Sequence, residues 1–176
     1  DNATDILLIS GTADDDTIKL VATTGSIVDD ASNATKITAA TADLTAGTAI
    51  GATGADAQID TDVDFLNALA SNGGVYVRET DGILLNSITA TGTGNDVELT
   101  TSNSGNIGVV SVTAPDVVEL TAAGALTDGD SGTDDTDITA VTATLSASGN
   151  IAASGDSLDT DVAHLNVDTS SANGEQ

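Results

Sequence analysis

A long internal repeat restricts the possible folds of this chain more than any other feature. The segment Ile37–Ile50 recurs 101 residues later as Ile138–Ile151, and Asp60–Asn67 recurs 99 residues later as Asp159–Asn166. The repeating unit is therefore about 100 residues long. We interpret residues 1–176 as one repeat-built β segment with about 1.7 copies of this unit, approximately 1–101 and 102–176.

The residues available for a hydrophobic core are small. Hydrophobic residues make up 39% of the chain, but Ala is the commonest of them, and there is one Phe, one Tyr and no Trp or Met. A compact globule of this length would fill its centre with large side chains. A stack of coils, each placing a few small apolar side chains inward, can be built from such a composition because no side chain must span a wide interior.

Short alternating segments predict strands along most of the chain. Thr17–Ala22 and Val117–Thr121, for example, alternate apolar residues with Thr, Lys or Glu, as strands with one buried face do. Clusters of Gly, Asn and Asp, such as Gly92–Asp96, separate these segments and predict turns. The only helical spacing of apolar residues lies in Asp62–Ala70, which leaves a short helix there as an alternative.

A shorter period is present within the 100-residue unit. The pattern apolar-x-Leu-x-Ala, followed by Gly and then Ile or Leu, occurs at Ile18–Ile27, at Val118–Leu126 and more loosely at Ala143–Ile151. Its leucines are 24, 55, 21 and 25 residues apart, and the long interval leaves room for one further coil: Leu20, Leu44, Leu99, Leu120 and Leu145. Coil lengths of this kind are typical of solenoids. We therefore predict an all-β fold, a repeat-built parallel β-helix or β-solenoid.

Two motifs also resemble a known family of repeats. Leu-Thr-Ala-x-Gly-x-Ile, present with a final Leu at Leu120–Leu126, and Ile-Asp-Thr-Asp-Val at Ile59–Val63 are similar to the filamentous-haemagglutinin-like repeats of large secreted bacterial adhesins. The resemblance covers most of the chain. It implies a right-handed parallel β-helix in an extracellular or cell-surface protein, with a structural or adhesive role in a rod or filament.

Two tandem Ig-like or cadherin-like β-sandwiches are the alternative architecture, since about 100 residues is also their usual size. The sequence offers no Trp for the cores of such domains, and Tyr76 has no counterpart in the second copy. Cadherin calcium motifs of the Asp-x-Asn-Asp-Asn kind are also missing.

The charge of the chain limits its partners. It has 28 acidic residues and only three basic ones, Lys19, Lys36 and Arg78, which gives a net charge of -25. Nucleic acids and anionic membranes require basic patches, so neither is an expected partner, and no apolar run is long enough to insert as a membrane helix. We expect end-to-end self-association and a host, cell-surface or polysaccharide ligand. The acidity itself fits either solubility in a salty medium or binding of divalent cations.

Two acidic motifs are candidate Ca2+ sites. The Gly-rich loop at residues 128–137 carries five carboxylates, which could supply several of the six to eight oxygens that calcium prefers: Asp128, Asp130, Asp134, Asp135 and Asp137. The matching loop of the first copy, Asp29–Lys36, has fewer acids, so a solvated turn is the alternative. The second motif, Asp-Thr-Asp, occurs in both copies and suits a role needed once per unit: Asp60, Asp62, Asp159 and Asp161. Its alternative is a hydrogen-bonded corner between strands.

No catalytic site is expected. The chain has no Cys and no Gly-x-Ser-x-Gly motif, and His164 replaces Phe65 of the first copy, which favours a wall or surface position over a general base. A polysaccharide-active β-helix enzyme remains the second functional alternative. Such an enzyme acting on an acidic sugar would need basic residues in its groove, and the three basic residues are far apart in the sequence.

Overall fold

The computed structural model describes residues 5–7, 11–34, 36–54, 56–130, 135–152 and 157–169. These residues contain fourteen strands and no helix. The strands are β1 (Ile6–Leu7), β2 (Gly11–Ala22), β3 (Ile27–Val28), β4 (Ile37–Ala46), β5 (Ile59–Ala70), β6 (Val75–Glu79), β7 (Ile83–Ala90), β8 (Val97–Thr101), β9 (Ile107–Val109), β10 (Val112–Thr113), β11 (Val117–Ala122), β12 (Leu126–Asp128), β13 (Ile138–Ala147) and β14 (Thr160–Asp168). The alternative of a short helix at residues 62–70 is wrong, because these residues lie in β5.

The strands stack in parallel around one axis. All pairings between the fourteen strands are parallel. Along one column the in-register neighbours are 20 to 26 residues apart: Leu20, Leu44, Ala68, Ile88, Val112, Ile138 and Thr160. The chain is therefore a β-solenoid of about six turns. Tandem β-sandwiches are excluded because their sheets are antiparallel.

The core is a set of narrow columns that run along the axis. One column of aliphatic side chains passes through almost every level: Ile6, Ile27, Ile50, Val75, Val97, Val118, Ala143 and Leu165. A second column consists of alanines that stack in register and are buried: Ala22, Ala46, Ala70 and Ala90. The small side chains that argued against a compact globule are thus the ones that let opposite walls of the coil approach each other.

The sequence repeat forms the same pair of long strands twice. In the first copy β4 pairs with β5 through Ile37↔Thr61, and in the second β13 pairs with β14 in the matching register through Ile138↔Thr160. The two pairs lie on different sides of the coil. The column formed by β6, β8 and β11 pairs at one side with the N-terminal part of β5. At its other side it pairs with the C-terminal part of β13.

The leucines of the shorter period accordingly fall into two columns. Leu99, Leu120 and Leu145 stack on one another in the column that also contains Ile59 and Val77. Leu20 and Leu44 lie in the column that continues through Ala68 and Ile88. The period correctly predicted the coils, but the motif does not mark one position around the axis.

Candidate functional site

The Gly-rich acidic loop of the second copy brings three of its five predicted ligands together. Carboxylate oxygens of Asp128, Asp130 and Asp137 lie within 4.8 Å of one another. Asp135 is exposed and is not part of this group, and Asp134 lies outside the described residues. We call Asp128, Asp130 and Asp137 the loop cluster.

Backbone contacts with the next coil hold the buried member of the loop cluster. Asp137 directly precedes β13, its Oδ2 accepts a hydrogen bond from the Asp159 amide at 2.7 Å, and its own amide donates to the Asp159 carbonyl at 2.9 Å. Asp128 accepts from the Asp130 amide at 2.9 Å. Burial raises the pKa of Asp137 to about 6, the Asp159 amide opposes this shift, and the charges of Asp128, Asp130 and Asp159 add to it. A cation in this position would offset both the cost of burying the Asp137 charge and the repulsion among the neighbouring carboxylates.

The raised pKa of Asp137 predicts that the metal-free protein becomes more stable as the pH falls from 7 to 5. Because the folded-state pKa is about 6 and the usual value is 3.8, the folded state takes up a proton over this interval before the unfolded state does. Discounted for screening near the surface, the gain is about 1 to 2 kcal/mol, or roughly 3 to 6 °C in Tm. Thermal unfolding in chelator at pH 7, 6 and 5 measures it. Asp137→Asn should make the profile less steep and leave the slope that Asp60 contributes, because the pKa of Asp60 is also raised to about 6. An equally steep profile in this variant would contradict the assignment.

The repeated Asp-Thr-Asp motif has different surroundings in its two copies. Asp62 forms an ion pair with Lys36 at 2.6 Å and also lies within 4.8 Å of Glu79 and Asp81. The matching Asp161 is exposed on β14. In the second copy the position of Lys36 is taken by Asp137, which contacts Asp159 instead. The interpretation as a corner between strands is wrong for the first copy, because Asp60 and Asp62 lie inside β5.

Asp60 itself is buried on the outer side of β5. Its Oδ2 atom is enclosed and has no hydrogen-bond partner among the described residues. Burial is the main cause that raises the pKa of Asp60 to about 6; the charge of Asp29 raises it further, and the Arg78 guanidinium opposes the shift. Asp159, the counterpart of Asp60, lies next to Asp137 and is only half-buried.

Glu79 is a buried carboxylate that sequence patterns did not reveal. It is fully enclosed at the end of β6 and accepts hydrogen bonds from the Thr61 hydroxyl at 2.7 Å and from the amides of Val63, Thr80 and Asp81 at 3.2, 2.7 and 3.3 Å. Burial raises the pKa of Glu79, although these four donors oppose the shift. Four donors around one carboxylate indicate a structural clamp between β5 and the turn after β6.

Two of the three basic residues line one cleft. Lys36 and Arg78 lie together with Asp60, Glu79 and Thr80 around a cavity of about 380 Å³. Separation in the sequence therefore did not predict separation in space, because residues 18 to 26 positions apart lie on neighbouring coils. Lys36 forms its ion pair with Asp62, and its Nζ also donates a hydrogen bond to the Thr80 hydroxyl at 3.4 Å.

Comparisons with protein-family models, with curated proteins and with solved structures found no match. The resemblance to filamentous-haemagglutinin-like repeats therefore stays a prediction. In the described part of the chain, no helix has the length and apolar character needed to cross a membrane.

Proposed function

We propose that this chain is a structural segment of a secreted bacterial surface protein, in which β-coils stack into a rod or filament outside the cell. The role is mechanical and adhesive, with no catalytic step. The fold supports this proposal because a solenoid is extended by adding coils at its ends, and each coil contacts only its neighbours. About six turns at roughly 4.8 Å per turn make a rod of about 30 Å.

The exposed end of the solenoid is the observation that carries the proposal. Leu165 and Val167 of β14 occupy the same columns as Ala143 and Leu145, which are buried, yet they are 50% and 48% exposed. Their side chains are placed as core residues for which the described residues supply no further coil. β14 also pairs only with β13, so no other described strand covers its outer edge.

Axial stacking on a second copy would cover both features. The added coil would bury the two half-exposed aliphatic side chains and add a strand at the outer edge of β14. Such a contact is heterologous, since the end of one copy meets the opposite end of the next, and it therefore grows into a filament when it does not close. The strongly acidic exterior, with a net charge of -25, disfavours side-by-side association.

Charged substitutions at the end should therefore abolish association. We expect wild-type protein at high concentration to form oligomers by sedimentation and short filaments by electron microscopy, and the double variant Leu165→Lys/Val167→Lys to remain monomeric, because stacking would bury two unpaired ammonium groups. Val141→Lys is the matched control, since Val141 is 48% exposed on β13 but faces outward from the coil.

The same experiment in calcium and in chelator tests whether a bound cation takes part. Monodisperse wild-type monomers under both conditions would contradict end-to-end stacking. Loss of filaments in chelator would assign a cation, which we propose to be Ca2+, to the rod. A host, cell-surface or polysaccharide ligand along the rod belongs to the same proposal and would be sought by binding to glycan arrays.

A further inference from the structure

The Asp60 carboxylate is buried, and one of its oxygens lacks a hydrogen-bond donor among the described residues. Asp60 is 6% exposed, and its Oδ2 accepts no hydrogen bond from the described residues. An ionised carboxylate withdrawn from water in this way is strongly unfavourable unless another charge or several donors compensate it. Glu79 is fully enclosed but accepts four hydrogen bonds, which shows that this fold can satisfy a buried carboxylate with its own donors.

A second enclosed oxygen without a partner belongs to Asp29. Its Oδ2 accepts a hydrogen bond from the Ala31 amide at 2.7 Å, whereas its Oδ1 is buried and unbonded among the described residues. These two are the only enclosed side-chain polar atoms without a partner in the described part of the chain. Both belong to aspartates of the first copy.

Backbone contacts through Gly51 bring the segments that carry these two aspartates together. Asp29 directly follows β3, whose Ile27 carbonyl accepts a hydrogen bond from the Gly51 amide at 2.8 Å. Gly51, with φ of +65°, packs so tightly against the start of β5 that a Cβ on it would lie 3.1 Å from the Ile59 amide nitrogen. Gly51 therefore contacts both the end of β3 and the start of β5, where Asp60 follows Ile59. In agreement, the Asp29 charge is the strongest charge contribution to the raised pKa of Asp60.

Arg78 does not supply the missing partner. It is the in-register neighbour of Asp60 on β6, and its charge favours the ionised form of Asp60. The Oδ2 atom of Asp60 nevertheless accepts no hydrogen bond from it. Arg78 and Asp60 both line the open cleft, but the Oδ2 atom of Asp60 is itself enclosed.

We propose that a divalent hard cation, for which Ca2+ is the probe, binds between Asp29 and Asp60 and fastens the loop that follows β3 to strand β5. One such ion compensates both enclosed carboxylates, and carboxylates and loop carbonyls are the ligands that it prefers. Asp130 of the loop cluster matches Asp29 at the repeat offset of 101 residues. Each copy of the unit therefore places an acidic side chain at this point of its loop. The inference is independent of the proposed stacking, because the site lies within one chain.

Calcium titration calorimetry on chelator-treated protein tests the proposal. Asp60→Asn and Asp29→Asn should each reduce the number of bound calcium ions by one, or weaken that binding at least tenfold. Asp64→Asn is the control, since it makes the same charge change at an exposed position of β5 and should bind as wild type does. Asp130→Asn identifies the separate contribution of the loop cluster. Equal stoichiometry and affinity in wild type and Asp60→Asn, or no binding to wild type, would overturn the site.

Thermal unfolding gives a second signature that a merely structural aspartate would not produce. In chelator, Asp60→Asn should unfold at the same temperature as wild type or higher, because the substitution removes a charge whose burial outweighs its attraction to Arg78. In millimolar calcium the order should reverse, because only wild type gains stability from the bound ion. An Asp60→Asn variant that is less stable than wild type by the same amount in both buffers would show that no ion is held there. Circular dichroism in chelator establishes that each variant is folded.

Discussion

Glu79→Ala is expected to lower the free energy of unfolding by about 3 to 5 kcal/mol. The substitution leaves the Thr61 hydroxyl and the amides of Val63, Thr80 and Asp81 without their acceptor in an enclosed position. It also opens a cavity at the point where β6 turns towards β7. Urea unfolding followed by circular dichroism measures the loss.

Two further variants distinguish the loss of these four hydrogen bonds from the loss of one negative charge. Glu119→Ala removes the same side chain from an exposed position of β11 and should change stability by less than about 0.5 kcal/mol. Glu79→Gln keeps one acceptor oxygen and should lie between wild type and Glu79→Ala. If Glu79→Ala were as stable as Glu119→Ala, the four hydrogen bonds would contribute nothing to the fold.

Leu120→Ala is expected to cost about 3 to 4 kcal/mol. Leu120 is fully buried between Leu99 and Leu145 in one column. The neighbouring coils are joined to each other by continuous parallel ladders, so they cannot collapse into the space that the substitution leaves. Leu69→Ala is the matched control, because Leu69 is 41% exposed on β5 and its truncation should cost less than about 1 kcal/mol. Equal losses in the two variants by urea unfolding would contradict this account of the core.

The coil architecture was accessible from the sequence because it depends on spacing and composition. Strands that recur every 18 to 26 residues, small apolar side chains and Gly-rich turns all favour the same stack of coils. The position of a residue around the axis was not accessible, since short insertions change the phase of the coil without changing the strand pattern. For that reason Leu44 and Leu145 resemble each other in the sequence but lie in different columns.

The candidate sites were predictable only where ligands are close in the sequence. Asp128, Asp130 and Asp137 were found because one loop carries them. The proximity of Lys36 and Arg78, the four donors around Glu79 and the neighbourhood of Asp29 and Asp60 each depend on contacts between coils. No local sequence motif marks such contacts, because each coil contributes only one residue to the site and that residue is of a common type. Asp60 was a candidate through its repetition, but its counterpart Asp159 lies beside Asp137.

The different placement of the two long-strand pairs has a consequence for any longer rod of this kind. Because β4 with β5 and β13 with β14 occupy different sides of the coil, one repeat of the sequence is not a whole number of turns. A feature encoded once per unit would therefore follow a spiral path along the rod and would face a new direction at each unit. A partner approaching from any side would meet the same feature at regular intervals, so the rod would not need to rotate to engage it.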